Sequence, residues 1–467
     1  MSKIPVKNVT PEEKSLYVPR EKIQVREIHG FFQKIRSYSL WGLMALFFAT
    51  SWLSWSDRQA VLFDLPARQF HIFGITFWPQ DFFLLSGLLI IAAYGLFTIT
   101  NLAGRVWCGY TCPQSSWSFV FMWIEEKTEG TRNKRMKMDN APMSLEKFLR
   151  RGAKHVLWLL LALATGITFV GYFSPVRELV PNLLTFNLNS WEAFWIGFFA
   201  LATYMNAGWL REQVCIHMCP YARFQSVMFD QDTLIVSYDE KRGEGEKGRG
   251  ARKKGIDPQA EGLGDCIDCS LCVQVCPTGI DIRDGLQYQC IGCALCIDAC
   301  DSIMDKMGYE PGLVRYTTEH ELEGGTTHFF RPRLVGYALV LILMISGLIY
   351  SMATRTAFEL DIIRDRGALY QLTPNDTVQN AYTLKLMNMS QGELSYNIKI
   401  EGLDNVITDM PSTVKLQSNK MRSFPINIEI DPKNLRESKT NIEFVILDAA
   451  TDTEIAREES RFIAPIN

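Results

Sequence analysis

Charge-free, mostly apolar runs divide the chain into alternating blocks. Five of them, residues 37–56, 82–104, 156–176, 193–210 and 334–354, are long enough to cross a bilayer, which takes about 20 residues of helix. They predict a transmembrane bundle of five helices. Beyond residue 361 the pattern changes to a period of two. Tyr382, Leu384 and Leu386 alternate with polar neighbours, as do Tyr396, Ile398 and Ile400, then Ile426, Ile428 and Ile430, then Ile442, Phe444 and Ile446. Such alternation marks half-buried strands, separated here by turn signals at Ser390-Gln391-Gly392, Met410-Pro411-Ser412 and Asp431-Pro432. About 100 residues of short strands predict an immunoglobulin-like β-sandwich.

A sixth uncharged stretch, 106–124, contains Cys108, Gly109, Cys112, Pro113 and Gln114, and only Arg105 separates it from the second run. If it crossed, the basic loop 127–154 would change sides, so it reads as an interfacial or re-entrant helix. Basic residues orient the rest. Lys14, Arg20, Lys22, Arg26, Lys34 and Arg36 precede the first span, and Lys127, Arg132, Lys134, Arg135, Lys137, Arg150 and Arg151 follow the second. Both segments are expected in the cytoplasm of a bacterial inner membrane, whereas 57–81 and 177–192, with only Arg58, Arg68 and Arg177, face outward. The first run lacks a small-residue cleavage pattern and reads as a retained helix. Five crossings from an inside N-terminus leave the C-terminus outside. The organisation that follows is a cytoplasmic arm (1–36), four membrane helices (37–230), a cytoplasmic linker and ferredoxin-like domain (231–333), a fifth helix (334–354) and a periplasmic domain (355–467).

The chain has 467 residues, too many for one ordinary domain, and its net charge of −3 hides very apolar and very polar stretches. Nothing in it calls for nucleic acid. All 12 cysteines fall in tight groups between Cys108 and Cys300, a distribution that suits metal ligation better than structural disulfides. After a Gly, Lys, Arg and Glu-rich segment at 241–255, which reads as a mobile linker, C-x₂-C-x₂-C-x₃-C occurs twice: Cys266, Cys269, Cys272, Cys276 and then Cys290, Cys293, Cys296, Cys300. Three cysteines at this spacing wrap one face of a cubane and the fourth serves the neighbouring cluster. One [4Fe–4S] cluster is therefore assigned to Cys266, Cys269, Cys272 and Cys300, the other to Cys276, Cys290, Cys293 and Cys296. Paired zinc sites are the bland alternative, although they usually have a longer spacer.

Two further pairs, Cys108-Gly-Tyr-Thr-Cys112-Pro113 and Cys215-Ile-His-Met-Cys219-Pro220, each follow a span and an arginine, Arg105 or Arg211. They form an internal repeat. If the residues before each proline are helical, cysteines four apart share a face, and two such repeats facing each other make a four-thiolate site. Soft thiolates select Cu(I), zinc or iron–sulfur centres, and copper also accepts His217 and Met218. Against this stand Met218 as apolar filling, His217 as a surface residue, the cysteines as buried thiols, and a thiol–disulfide relay.

The two C-x-x-x-C-P segments, the two-cluster insert, the five spans and the terminal sandwich together resemble the FixG/RdxA/CcoG family of cytochrome c oxidase (cbb type) accessory proteins. The insert itself resembles bacterial two-cluster ferredoxins, except that Asp301 follows Cys300 where proline is usual. The resemblance implies a role in assembling a haem–copper oxidase of cbb type, by reducing Cu(II) to Cu(I). On that reading an external cytoplasmic donor feeds the clusters, copper is held at Cys108, Cys112, Cys215 and Cys219, and the partners are oxidase-assembly or copper-delivery proteins; a homo-oligomer stays open. No Gly-rich dinucleotide fingerprint is present, so the donor is external. Two other classes compete: an electron-transfer subunit that feeds quinone or a partner reductase, and a non-enzymatic redox-sensing scaffold. The outer domain reads equally as a binding module or as a docking and stabilising element.

Overall fold

The computed structural model describes residues 22–465 except Asp57, 252–261, 356, 357, 366, 391, 412, 419 and 436. Lys14 and Arg20 of the basic arm, the far end of the 241–255 segment, and the turn residues Gln391 and Ser412 lie outside the described residues. The chain separates into two compact units, one built from residues up to Phe63 together with Ser86–Ile345, the other from Asp64–Leu85 together with Ser346–Asn467.

Three helices are long and apolar enough to cross a membrane: Pro79–Ala103, Leu145–Val170 and Pro332–Ala353. The other two expected spans fall on helices that miss this criterion, each for a visible reason. Phe31–Thr50 starts six residues before the charge-free run and so takes in Lys34 and Arg36. Ser190–Thr203 has only 14 α-helical residues, because the chain widens into a π-helical segment over Tyr204–Leu210. The stretch expected to be interfacial forms a short helix, Val106–Tyr110, and a longer one, Pro113–Glu129, which is not among the spans.

In the first unit the helices lock through close backbone approach and a buried charge. A Cβ on Gly166 would stand 2.5 Å from the carbonyl oxygen of Ile196, so only glycine lets Leu145–Val170 lie this near Ser190–Thr203. Glu125, on Pro113–Glu129, is fully buried and meets Arg211 at 2.9 Å, Arg135 at 3.3 Å, Lys22 at 3.5 Å and Lys154 at 3.6 Å. Burial alone would push this carboxyl up, but the four cations outweigh it and hold it at about 2. Five segments of chain are tied to one carboxylate. The N-terminus of Phe31–Thr50 is fixed separately: the backbone N–H groups of Phe32 and Gln33 donate to Asp298 at 3.1 and 2.7 Å, and a Cβ on Gly30 would collide with that aspartate.

The segment read as a mobile linker is, in its described part, packed. Residues Glu240–Glu244 form a helical turn in which Arg242 pairs with Asp265 at 2.6 Å, and Arg249 with Glu244 at 3.2 Å. Gly243 and Gly264 approach so closely that a Cβ on Gly264 would meet the Gly243 carbonyl at 2.1 Å. Its charges and glycines thus serve contact rather than freedom.

The second unit contains two antiparallel sheets. One orders Ile407–Thr408, Lys420–Ile430, Val378–Asn388 and Phe358–Arg364, with Gln371–Leu372 also on Val378–Asn388; the other orders Thr413–Leu416, Leu394–Glu401, Lys439–Asp448 and Glu454–Ile463. Tyr382, Leu384, Leu386, Tyr396, Ile426, Ile428, Ile430, Ile442, Phe444 and Ile446 all point into the single core between them. Asn380 stitches the sheets, accepting from the Ile463 N–H at 3.1 Å and donating to its carbonyl at 2.7 Å. Asp64–Leu85, expected only as a connection, adds a hairpin of Gln69–Ile72 with Ile75–Phe77, and buried Asp81 forms an ion pair with Arg355, whose Nε donates at 2.8 Å.

Replacing Glu125 by Gln leaves Arg135 and Arg211 without the carboxylate they pair with, whereas Lys22 and Lys154 keep Asp139 and Glu129, and is expected to destabilise the first unit by about 3–5 kcal/mol. A thermal midpoint equal to that of the unaltered protein in detergent would show that the cage carries no stability.

Candidate redox centre

Each cysteine run forms the same backbone turn. Asp268 and Ser270 in the first run, and Gly292 and Ala294 in the second, have positive φ, and a helix opens immediately afterwards, Leu271–Gln274 or Leu295–Met307. Left-handed residues between cysteines curl the chain back on itself, so that successive sulfurs turn toward one centre. Two strands, Ile235–Tyr238 and Val314–Thr317, pair antiparallel beside these turns, and an apolar cluster of Val236, Ile280, Ile282, Ile297, Met304 and Val314 packs around Cys266, Cys272, Cys276, Cys290, Cys296 and Cys300.

The last cysteine of each run sits with the other run. Cys300 interacts electrostatically with Cys272, Cys266 and Cys269, whereas Cys276 is felt by Cys290, Cys293 and Cys296. Burial is the main cause that pushes these thiols up, Cys290 and Cys300 to about 12 and Cys272 to about 11, with neighbouring cysteines adding to it for Cys290 and Cys300. A thiolate in such a pocket requires a compensating cation, which iron supplies. Nearby hydrogen-bond donors also suit ligated sulfur: the Gly292 N–H lies 3.5 Å from Cys290 Sγ and the Thr278 hydroxyl 3.3 Å from Cys276 Sγ. Four thiolates on one zinc, at about 2.3 Å each, would lie about 3.8 Å apart. Among the described residues the one set of three or more His, Cys, Asp or Glu donors within 4.8 Å of one another is Asp232, His320 and His328. Neither cysteine tetrad forms such a group, and neither does the set Cys108, Cys112, Cys215 and Cys219. Asp301 does not disturb this arrangement: the helix runs on through it to Met307, and its carboxylate accepts from the Gly312 N–H at 2.8 Å.

The two C-x-x-x-C-P pairs come together. Cys108 interacts with Cys112, Cys215 and Cys219, and burial first, then these neighbours, push the thiols of Cys108 and Cys215 to about 12. No helix carries both cysteines of the first pair. Val106–Tyr110 ends before Cys112, which is extended (φ −60°, ψ 131°) because the following Pro113 disfavours helical geometry in the residue before it. Cys219 is likewise extended (φ −77°, ψ 112°). Both cap the helix that their proline opens, Pro113–Glu129 and Pro220–Met228. His217 and Met218 are exposed, so Met218 is not filling the core.

The first pair lies directly on the second cysteine run. A Cβ on Gly109 would stand 2.9 Å from Cys293 Cα, the Tyr110 hydroxyl donates to the Cys293 carbonyl at 3.3 Å, and Cys108 packs on the apolar cluster that contains Ile291, Cys293 and Leu295. Arg105 is buried and clamps the junction, bonding the carbonyls of Tyr288, Cys290 and Ala222. Arg36 and Ser39, from Phe31–Thr50, hold the carbonyls of Gly109 and Tyr110 at 3.1 and 2.8 Å. Behind the sulfur, buried Gln225 faces Cys108 Sγ at 3.5 Å and donates to Thr100 at 3.3 Å, and Thr100 meets the Tyr221 hydroxyl at 2.6 Å. Sequence reasoning noticed Arg105 only as a punctuation mark and missed Gln225, Ser39 and Arg36 as partners. Residues this far apart along the chain leave no local signal.

Residues 210–319 match the 4Fe-4S dicluster domain, and residues 348–465 match the immunoglobulin-like fold at the C-terminus of FixG. Nitrogen fixation protein FixG of Rhizobium meliloti (strain 1021) is 38% identical over 426 residues, 83% of this chain and 80% of that protein. The chain belongs to the FixG/RdxA family. It is an iron–sulfur electron-transfer protein with apolar helices fit to cross a membrane. Protein RdxA of Cereibacter sphaeroides is 39% identical over 404 residues, 83% of this chain and 84% of RdxA. A crystal structure of a FixG-related protein from Vibrio parahaemolyticus covers 24% of this chain and 100% of its own, at 28% identity and a TM-score of 0.22.

Gly109→Val forces the first pair off the Cys293 backbone, and overpacking of this kind costs about 1–3 kcal/mol. Gly95→Val, where a Cβ meets nothing within 4 Å, is the control. The expected result is a lower thermal midpoint and faster maleimide labelling of Cys108 in the first variant alone. Indistinguishable behaviour of the two would mean that the close approach does not hold the pair in place.

Proposed function

We propose that this member of the FixG/RdxA family is a membrane cupric reductase. It takes electrons from an external cytoplasmic donor and reduces Cu(II) to Cu(I) for assembly of a cbb-type cytochrome c oxidase. Cys266, Cys269, Cys272 and Cys300 would hold one [4Fe–4S] cluster and Cys276, Cys290, Cys293 and Cys296 the other; when bound, the clusters supply one-electron transfer. Copper is the substrate. Cys108, Cys112, Cys215 and Cys219 receive it, and their soft sulfurs favour Cu(I), the softer state. The observation that carries this reading is the seating of Cys108 and Gly109 on Cys293. In support of it, Cys108, a copper ligand on this reading, packs against the second cysteine run with no intervening segment of chain.

Contacts within each unit favour five crossings over the three that composition alone picks out. Phe32 bonds Asp298 beside the cysteine runs, and the Phe63 N–H donates to the Tyr172 carbonyl at 2.7 Å. Asp81 pairs with Arg355, Gly109 meets Cys293, and Cys108 neighbours Cys215. Read in chain order, these partners alternate between two faces only if Phe31–Thr50 and Ser190–Thr203 with its π-helical extension also cross. Each is 20 or 21 residues long, about 30 Å at 1.5 Å per residue. The excess of Lys and Arg after the second span supports an orientation with the cysteines on the cytoplasmic side and the sandwich outside.

A second reading, exchange of electrons with quinone, draws on a cavity of about 400 Å³ lined by Glu125, His155, Trp158, Trp209 and Arg211. Its aromatic walls and titratable groups suit a quinone head.

Replacing Cys108, Cys112, Cys215 and Cys219 together by Ala is expected to abolish Cu(II) reduction by dithionite-reduced protein while the iron content stays unchanged. Undiminished copper reduction in that variant would end the copper reading, and quinone reduction by it would favour the second. A cysteine introduced at Gly392 should react with impermeant maleimide in intact spheroplasts, and one at Gly312 should not. The opposite pattern would invert the topology.

A further inference from the structure

Two of the chain's six histidines, His320 and His328, converge on one aspartate outside every cysteine motif. His320 opens from the short helix Glu319–Leu322, and its Nδ1 lies 2.8 Å from Asp232 Oδ1. Nδ1 of His328 stands 3.6 Å from the same oxygen, beyond hydrogen-bonding range, while the His328 backbone N–H donates to that oxygen at 3.0 Å. The rings meet edge to face with centroids 5.9 Å apart. The backbone presents the trio rigidly. His320 N–H donates to the Gln231 carbonyl at 3.2 Å, Asp232 N–H to Asp230 at 3.1 Å, and Thr233 to the Asn101 carbonyl at 3.0 Å. Arg331, three residues past His328, bonds the same Asn101 carbonyl and pairs with Asp230 at 2.8 Å.

We propose that Asp232, His320 and His328 form a binding site for a divalent transition-metal ion of the copper or zinc class. The donor set suits it: two imidazoles and one carboxylate are ligands that Cu(II) and Zn(II) share. The spacing suits it too. Ligands about 2.0–2.1 Å from a tetrahedral ion lie about 3.3 Å from each other, and the nitrogen–oxygen distances of 2.8 and 3.6 Å bracket that edge. His328 is exposed, so an ion can reach the trio from solvent. This site differs in kind from the cysteine pairs, since nitrogen and oxygen suit the oxidised, harder copper ion and sulfur the reduced one. It stands without the copper-reduction reading.

The test uses the full-length, iron-loaded protein in detergent, carrying alanine at Cys108, Cys112, Cys215 and Cys219 so that thiolates do not compete. Cu(II) is added and read by EPR, with bound metal counted by equilibrium dialysis, and Zn(II) serves as a competitor. One copper per chain is expected, split by two nitrogens and displaced by zinc. His320→Ala with His328→Ala should weaken binding by at least the roughly 10–100-fold that loss of even an outer-shell partner causes. Cluster absorption confirms that this variant is folded; if it is lost, the single change at exposed His328 takes its place, with the same expectation. Asp232→Asn keeps an oxygen for the hydrogen bonds but should also weaken copper. Equal binding by the parent and these variants, or a copper signal without nitrogen coupling, overturns the site and reduces the trio to a hydrogen-bonded staple. Failure here leaves the cysteine variant's effect on copper reduction untouched, so the two readings fall separately.

Discussion

The rest of the structure depends on the absence of a side chain at Gly109. Because Gly109 has no Cβ, the turn carrying Cys108 can rest on the Cys293 backbone, and Arg105, Arg36 and Ser39 all spend their polar groups keeping it there. Electron transfer weakens steeply with separation, so a redox protein must fix distance before it fixes anything else. The turn and the cysteine run meet main chain against main chain, the least adjustable kind of contact. The first helix contributes at both ends of this junction, since its N–H groups are capped by Asp298 on the cluster-bearing helix and its Arg36 reaches the Gly109 carbonyl. Membrane bundle and cysteine-rich insert are therefore parts of one packed unit.

Burial has opposite consequences for the two kinds of charge in that unit. Glu125 is as deeply buried as any side chain in the protein and is kept ionised by four cations. The cysteines have no such escort: Arg283 near Cys272, Arg105 near Cys290 and Arg36 near Cys293 reduce the cost of a thiolate without cancelling it. The charge of the carboxylate is balanced by the protein's own cations, whereas that of thiolates holding iron would be left for the metal to balance.

How much of this was legible in the sequence follows from how local each cause is. Period-two alternation in the sandwich is a property of neighbouring residues, and Tyr382, Ile428 and Phe444 went into the core as their positions demanded. The doubled cysteine run is equally local, and its turns repeat residue for residue down to the left-handed positions. Three kinds of feature were less local. A proline that opens one helix also ends the one before, so Cys112 does not meet the helical condition on which a shared face depended. The glycines and charges of 241–251 looked like freedom and turned out to be close packing and ion pairs. Of the five charge-free runs, three became helices long and apolar enough to cross, while the other two lie on helices that take in Lys34 and Arg36 or widen after Thr203. Asp232, His320 and His328 left no pattern, because 88 residues separate the hydrogen-bonded pair.

The π-helical widening is itself informative. It runs through Tyr204–Leu210 and ends at Arg211, a non-glycine residue held at φ +44° and ψ −111°. Backbone geometry of this sort is costly, about 1–3 kcal/mol, and persists only where the surroundings hold it in place. Arg211 is held by Glu125 at 2.9 Å and by the Gly208 carbonyl at 2.9 Å, and the Gln114 amide donates to its own carbonyl at 3.2 Å. The π-helical segment and the positive-φ residue Arg211 come directly before the turn that carries Cys215, whose sulfur neighbours Cys112 and Cys219. The first cysteine pair is positioned by close packing on the cysteine-rich insert, and the second follows a π-helical segment that ends at an arginine paired with the buried carboxylate.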